Sequence, residues 1–195
     1  MFNIILAPFQ AIKEAGSKKS MSRTMKVLLV ASLFAGLSAL LVTKSFTGLS
    51  LLIALGIAVG MFVCVLVMSF FFKLSLHMLS KKGGYYEALT AVTYGCFVFA
   101  CGALATSVLS LLIDINVVLN VIVALVSVVI MLAAIILAKT IKLRAAMDFF
   151  SADLLTVIVA FVIVYVSVLF AFYFLVRNSC LGLLDLLTHP CSVQI

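Results

Sequence analysis

The chain has 195 residues, of which 67% are hydrophobic and 10% are charged, and its formal net charge is +7. An ordinary soluble domain carries roughly 25% charged residues, so this composition excludes a soluble globular protein and indicates several membrane-spanning segments. The positive charges stand in a few short clusters, which argues against nucleic-acid binding and for a role in membrane orientation. The length suits a single membrane domain over residues 1–195.

Residues 1–26 precede the first long apolar run. They lack the hydrophobic core and cleavage site of a signal peptide, so we expect none. Pro8 suits the first turn of a helix, and Phe9 and Ile12 then share one face, which predicts a short amphipathic helix over residues 8–20 on the membrane surface. The basic residues of this region favour anionic headgroups, or serve only to set orientation: Lys13, Lys18, Lys19, Arg23 and Lys26.

Five uncharged runs follow, and each approaches or exceeds the ~20 residues needed to cross ~30 Å of hydrocarbon. Because lipid offers no hydrogen-bond partners to the backbone, such uninterrupted runs should be helical. We therefore predict an all-α polytopic membrane protein, a bundle of five transmembrane helices. The second helix is expected to continue past Phe72 to Met78 and to project or tilt. The predicted spans are residues 27–43, 46–72, 88–113, 115–138 and 154–176.

The basic residues predict the orientation. Of the 13 Lys and Arg residues, 11 precede the first span or lie between spans two and three and between spans four and five. Only Lys44 and Arg177 fall on the other side. The positive-inside rule then places the N-terminus in the cytoplasm and the C-terminus on the opposite side.

The turn between spans two and three is the most distinctive segment of the chain. Gly83 and Gly84 suit a turn that uses φ > 0, and Tyr85 and Tyr86 suit the headgroup layer. Together with the connection from Lys139 to Asp153, this turn predicts a cytoplasmic surface for phospholipid headgroups, anionic ones among them, or for an acidic partner. The alternative is that its charges only set topology. The residues are Lys81, Lys82, Gly83, Gly84, Tyr85, Tyr86, Glu87, Lys139, Lys142 and Arg144.

Gly56 and Gly60 form a GxxxG motif inside span two, where two glycines one turn apart let another helix approach closely. We expect them to pack within the chain, with a homodimer seam as the alternative. Gly36, with Ser32, offers a similar small face on span one. Cys180 and Cys191 flank a short amphipathic stretch on the predicted outer side, where a disulfide can form.

The remaining polar residues do not assemble into a recognisable reaction centre. No nucleophile motif or phosphate loop is present, and neither His77 nor His189 has neighbours at metal-ligand spacing, so we expect no catalytic, cofactor or metal site. Cys64, Cys96 and Cys101 are interpreted as small buried hydrophobic residues. Ser151 and Asp153 are expected to cap the last helix.

A transporter would ordinarily carry an ionisable residue deep in a span, whereas the ionisable residues here lie at helix ends. The polar residues within the spans are therefore expected to form hydrogen bonds between helices rather than to line a pore. They are Ser107, Ser110, Asn120, Ser127, Tyr165 and Ser167.

The pattern resembles the Yip family of five-span membrane proteins, closest to its short prokaryotic type. The opening PFQAIKEA before a basic stretch and the segment GGYYEALTAVTYG after span two are similar to family motifs, as is the five-span layout. Family members often have a proline shortly after the aromatic residue of span three, whereas this chain has Cys96 and Phe97 at that place. The second match rests on Gly83, Gly84, Tyr85, Glu87, Leu89 and Tyr94.

The resemblance implies a non-enzymatic protein that acts in membrane organisation or trafficking-type processes through protein or lipid binding on its cytoplasmic face. The sequence carries neither the long soluble N-terminal region nor the acidic DLYGP motif of eukaryotic members, so the resemblance does not imply binding of Rab GTPases. Expected partners are membrane lipids, a membrane protein or further copies of the chain. The alternative function is that of a small-molecule or ion transporter or channel.

Overall fold

The computed structural model describes residues 14, 20–44, 46–79, 83–112 and 117–188, with the backbone alone for residues 117, 171, 172 and 174–188. The amphipathic helix expected over residues 8–20 lies outside this part of the chain apart from Glu14 and Ser20. Five helices, together with the single helical residue Glu14, account for the secondary structure of the described residues, which confirms the all-α fold. They are α1 (Met21–Thr43), α2 (Gly48–Met78), α3 (Tyr85–Ser110), α4 (Val117–Phe150) and α5 (Leu154–Thr188).

Four of these helices, α1 to α4, are long and apolar enough to cross a membrane. In α5 the residues whose side chains are described form a shorter apolar helix, Leu154–Phe170. A multi-pass membrane protein is therefore supported by four spans, and the fifth span stays a prediction.

Local capping explains why α1 and α2 form a hairpin. Ser20 precedes α1, and its hydroxyl oxygen accepts from the Arg23 N–H at 3.4 Å. The helix ends at Lys44, which adopts a left-handed conformation with φ of 48°. Thr47 then starts α2 by accepting from the Ser50 N–H at 3.3 Å. Because so few residues separate the helices, α1 and α2 must run antiparallel as neighbours.

The link between α4 and α5 is much shorter than predicted. α4 continues to Phe150, so the expected connection from Lys139 to Asp153 is helical for most of its length, and only residues 151–153 separate the two helices. Ser151 ends α4 with φ of 46°, and the Ala152 N–H closes the last turn onto the Met147 carbonyl at 3.3 Å, a Schellman-type arrangement. Ser151 therefore terminates α4 instead of capping α5.

Asp153 occupies the position before α5, as expected. Its Oδ1 accepts from the Thr156 hydroxyl at 2.6 Å, and its carbonyl accepts from the Val157 N–H at 3.2 Å. A carboxylate at this end also interacts favourably with the helix dipole.

α3 is the central helix. In its most apolar stretch 67% of the residues are buried, compared with 17% in α2 and in α4. α1 and α4 pack along α3, α2 contacts α1 and α3, and α5 rests on α2 and α4. One core cluster joins α1, α3 and α4 around Val27, Tyr94 and Ile141. A second cluster joins all five helices, with Phe72 and Leu89 among its fully buried members.

Small residues permit the closest helix contacts. A Cβ added to Gly36 would lie 2.8 Å from the Ala54 carbonyl oxygen and 3.1 Å from the Ala58 Cβ, which confirms that this face of α1 packs against α2. A Cβ on Gly102 would lie 2.4 Å from the Ala134 Cβ, so α3 and α4 touch there almost backbone to backbone.

The GxxxG motif of α2 does not take part in this packing. No atom of the described residues lies within 4 Å of a Cβ built on Gly56 or Gly60, and both residues are exposed. Ala54 and Ala58 already turn toward α1, and a residue two positions further along a helix points to nearly the opposite side. The expectation that Gly56 and Gly60 pack within the chain is therefore wrong, and the homodimer seam stays a prediction.

The two longest of the four candidate spans are longer than the hydrocarbon layer, and both finish at the same end of the bundle. α2 has 31 residues and α4 has 34, which correspond to about 46 and 51 Å of helix against ~30 Å of hydrocarbon. The continuation of α2 to Met78 is confirmed. We call the end at which α2 and α4 finish and α3 and α5 begin the basic end; its basic residues are Arg23, Lys26, Lys73, Lys139, Lys142 and Arg144.

Candidate functional site

A groove of about 170 Å³ lies between α4 and α5 at the basic end. It combines two lysines with an otherwise apolar and aromatic wall. Because the α4 residues lie within two helical turns of each other, their side chains reach the same groove. The residues that line it are Lys139, Lys142 and Leu143 of α4 and Ile158, Phe161, Val162 and Tyr165 of α5.

Lys139 is held at the groove by Tyr165. The Lys139 Nζ donates a hydrogen bond to the Tyr165 hydroxyl and lies 4.3 Å from the centroid of the same ring. A cation over the face of a tyrosine is attracted by the ring quadrupole. The ammonium group is thus fixed over an aromatic surface while the side chain as a whole remains exposed.

Lys142 reaches the groove across the surface of α3. A Cβ on Gly95 would lie 2.4 Å from Lys142 Cγ and 2.5 Å from Lys142 Cε, so the aliphatic stem of the lysine lies directly on the α3 backbone. Burying the stem while the charged head extends outward is the usual behaviour of lysine at a membrane interface. A Cβ on Gly95 would also lie 2.9 Å from the Ala138 carbonyl oxygen, so Gly95 is required by the close approach of the α4 backbone as well as by the path of Lys142.

Aromatic packing gives the groove a rigid wall. The Phe161 ring stacks on Phe72 of α2, with centroids 4.4 Å apart, and is also stacked 6.4 Å from Tyr165. Phe72 in turn meets Phe150 of α4 edge to face at 6.2 Å. This row of rings connects α2, α4 and α5, and it orients Tyr165 beside Lys139.

The glycines of the turn before α3 serve a purpose different from the predicted one. None of the described glycines has φ > 0, and Gly84 has φ of −93° and ψ of 168°. A Cβ on Gly83 would lie 2.1 Å from the Phe150 ring, so a side chain there would displace that ring. A Cβ on Gly84 would lie 2.5 Å from the Glu87 carboxylate. The prediction of a turn with left-handed glycines is wrong. Glycine is needed at position 83 because the Phe150 ring occupies the place of a side chain.

The predicted cytoplasmic surface is only partly assembled. Tyr85 turns into the bundle, where its hydroxyl donates to the Leu66 carbonyl at 3.1 Å, so its expected display at the surface is wrong. Tyr86 and Glu87 are half-buried and Arg144 is exposed. Lys81 and Lys82 lie outside the described residues.

The structure therefore brings together Lys139 and Lys142 of the predicted set and adds partners that sequence reasoning missed. Tyr165 was considered only as a polar residue within a span. The available signal was the spacing of Ile158, Phe161 and Tyr165, which places one apolar face of α5 toward α4. Nothing in the sequence indicated which helix this face meets.

Polar residues within the spans mostly bond to their own helices. Ser107 donates to the Ala103 carbonyl at 2.8 Å, and Ser110 donates to the Ser107 carbonyl at 2.6 Å. The expected interhelical bonds are therefore wrong for these two residues. Tyr165 does bond to another helix, through Lys139.

One interhelical hydrogen bond was not foreseen. The Thr24 and Thr90 hydroxyl oxygens lie 3.2 Å apart, buried between α1 and α3. The single hydroxyl proton of Thr90 is directed to the Tyr86 carbonyl at 2.8 Å, so Thr24 must be the donor in the pair. This bond aligns the start of α1 with the start of α3.

Tyr94 carries a buried hydroxyl without a hydrogen-bond partner. The side chain is fully buried between α1, α3 and α4, and its Oη, like the Thr93 Oγ1, has no partner among the described residues. A buried unsatisfied polar group costs about 1–3 kcal/mol. We therefore expect Tyr94→Phe to raise the free energy of unfolding in detergent by about 1 kcal/mol. A lower stability of the Tyr94→Phe variant, measured by thermal unfolding, would show that the Tyr94 hydroxyl does form a stabilising hydrogen bond.

The cysteines differ from expectation in one respect. Cys64 is exposed on α2, not buried, whereas Cys96 and Cys101 are half-buried. Cys180 belongs to the α5 backbone, but its side chain and Cys191 lie outside what the structure describes, so their disulfide stays a prediction. Among the described residues no group of three or more His, Cys, Asp and Glu side chains could hold a metal ion.

Comparison with known proteins identifies no family or function for the chain. No family model matches the chain, and neither the curated proteins nor the solved structures contain a match. The resemblance to the Yip family rests on the quoted motifs alone and stays a prediction.

Proposed function

We propose that the chain is a non-enzymatic, Yip-like integral membrane protein that acts in membrane organisation or trafficking-type processes. It does so by binding lipids or a membrane-protein partner at its basic end, which faces the cytoplasm. The proposal extends the GGYYEALTAVTYG similarity and the uneven distribution of Lys and Arg along the chain.

The groove that joins Lys139, Lys142 and Tyr165 is the observation that supports this proposal best. The Lys139 ammonium group lies beside the Tyr165 ring, and Lys142 lines the same groove next to aliphatic and aromatic side chains. Such a surface attracts anionic headgroups or an acidic protein segment, because the charges sit where water and lipid meet. Sites held on a rigid helical scaffold are favourable for binding.

The alternative, transport, gains little support from the described residues. Five serines are buried among the described residues. Ser32, Ser69, Ser75 and Ser107 donate to carbonyls four residues earlier in their own helices, and Ser50 donates to the Thr47 carbonyl. A serine whose hydroxyl proton is donated to its own helix cannot donate the same proton to a solute that passes through the bundle. A groove of about 430 Å³ between α1 and α2 is lined by apolar side chains and glycine, from Leu33 to Ala58, which suits lipid better than a polar solute.

Replacing Lys81, Lys82, Lys139 and Lys142 together by Gln tests the proposal. Because the variant removes four positive charges at about 1 kcal/mol each, we expect strongly reduced retention of anionic lipid and reduced recovery of partners from native membranes. Insertion and orientation are verified with a reporter fused after Ile195, which should report a location opposite to the cytoplasm. Unaltered lipid retention and partner recovery in a correctly oriented variant would leave these charges with a topological role alone.

A further inference from the structure

We propose that the groove between α4 and α5 is a binding site for one anionic phospholipid. The lipid phosphate lies at the Lys139 and Lys142 ammonium groups, and an acyl chain runs along α4 and α5 away from the basic end. This inference rests on the proposed function and assigns it a ligand and a location.

Charge is the first argument. The side chains of two lysines and one tyrosine line the groove, and none of the described residues that line it is a carboxylate that would compete for the lysines. Each ammonium group offers three donors, and an anion with several oxygens can accept from both lysines at once. Lys139 is already ordered by Tyr165, so less conformational freedom is lost when the anion binds.

The apolar wall is the second argument, and it distinguishes a lipid from a free phosphate. Leu143, Ile158, Phe161 and Val162 form the rest of the groove. A free phosphate gains nothing from these side chains, whereas a phospholipid places its glycerol and first methylenes against them. Apolar surface removed from water contributes roughly 25 cal/mol per Å².

The helices continue the apolar wall beyond the groove. Ile136 and Leu132 stand one and two turns before Lys139 on the same face of α4, and Leu169 stands one turn after Tyr165 on α5. They are exposed by 65%, 54% and 68% respectively, so acyl chains can cover them. At about 170 Å³ the groove is smaller than the roughly 300–1,000 Å³ of ordinary small-molecule pockets. It therefore suits a headgroup phosphate whose chains remain in the bilayer.

Lipid titration with native mass spectrometry tests the site, using phosphatidylglycerol and phosphatidylcholine with identical acyl chains. We expect wild-type protein to prefer phosphatidylglycerol. Lys139→Gln with Lys142→Gln should weaken that binding roughly 30-fold, about fivefold for each charge near the membrane surface. Lys26→Gln with Lys73→Gln removes the same charge at the same end but outside the groove. It should change binding less than about threefold, because these two charges do not contact a phosphate bound in the groove and salt screens their longer-range attraction.

Gln keeps the Cγ methylene of Lys142 that covers Gly95 and replaces only the outer part of the stem with its amide, so the double variant should retain most of its unfolding temperature. If it does not fold, Lys139→Gln alone, at an exposed position, should still weaken binding roughly fivefold. Equal losses in the two double variants would show diffuse attraction by the basic end and overturn the groove, while leaving the proposed function intact. Absence of any preference for phosphatidylglycerol in wild-type protein would overturn the groove site and the lipid part of the proposed function, whereas the partner-protein part is tested separately by recovery from native membranes.

Soluble glycerol phosphate separates the two sources of phosphate. We expect it to leave bound phosphatidylglycerol in place at concentrations where added phosphatidylglycerol exchanges fully. Displacement by glycerol phosphate at equal concentration would show a site for the phosphate alone and contradict the acyl-chain part of the proposal.

Discussion

Phe72→Ala is expected to lower the free energy of unfolding in detergent by about 3 kcal/mol, within the range for buried Phe→Ala substitutions. Phe72 is 1% exposed and its ring contacts both Phe161 and Phe150. Since lipid tails are as apolar as the protein core, the loss comes from missing contacts and the cavity left between α2, α4 and α5. Binding of anionic lipid should weaken in parallel, because Phe161 and Tyr165 lose their support.

Phe70→Ala is the matched control. Phe70 lies on the same helix and at the same end, but its side chain is 55% exposed. Its removal deletes the same atoms from a lipid-facing position, so we expect a change of less than about 1 kcal/mol, as for substitutions away from packed features. Equal effects of the two substitutions, measured by thermal or denaturant unfolding, would show that the row of rings does not connect the helices.

Gly102→Ala is expected to destabilise the protein by about 1–2 kcal/mol, because the new methyl group would lie 2.4 Å from the Ala134 Cβ and force α3 and α4 apart. The gain in helix propensity, about 1 kcal/mol for Gly→Ala, offsets part of that cost. Adding Ala134→Gly should restore the contact and recover most of the stability. Unfolding curves of the single and double variants give the coupling between the two positions.

Gly56→Ala provides the comparison for this prediction. The same chemical change is made on a helix, but no atom in the described part of the chain lies within 4 Å of the new Cβ. The monomer should be unchanged or slightly stabilised by helix propensity. A loss of stability at Gly56 as large as that at Gly102 would mean that this face of α2 has a neighbour, such as a second copy of the chain, in the preparation measured.

The positions of the helices were predictable because, in a membrane, a sufficiently long uncharged apolar segment is enough to indicate a helix. Uncharged runs without hydrogen-bond partners in lipid must be helical, and the structure confirms helices at all five runs. Helix ends were less predictable. The basic residues Lys139, Lys142 and Arg144 looked like a loop because they interrupt the apolar run, yet strong helix formers carry α4 through them to Phe150.

The site was only half predictable from the sequence. Lys139 and Lys142 could be identified from charge, but their partner Tyr165 depends on the alignment of α5 against α4. That alignment is set by Phe161 stacking on Phe72, a contact between residues far apart in the chain. The predicted packing of Gly56 and Gly60 was wrong for the same reason. The motif shows that another helix can approach closely, but α1 packs against Ala54 and Ala58 on the other side of α2.

Whether the basic end is a binding surface is tested most directly by isolating the wild-type protein from native membranes with its surrounding lipid and analysing what is retained. We expect anionic phospholipid, or a specific membrane protein, to be enriched relative to the bulk membrane, and that enrichment to be lost when Lys81, Lys82, Lys139 and Lys142 are replaced by Gln. A retained lipid composition identical to that of the bulk membrane, with no protein recovered in wild type beyond that recovered with the variant, would contradict the proposal.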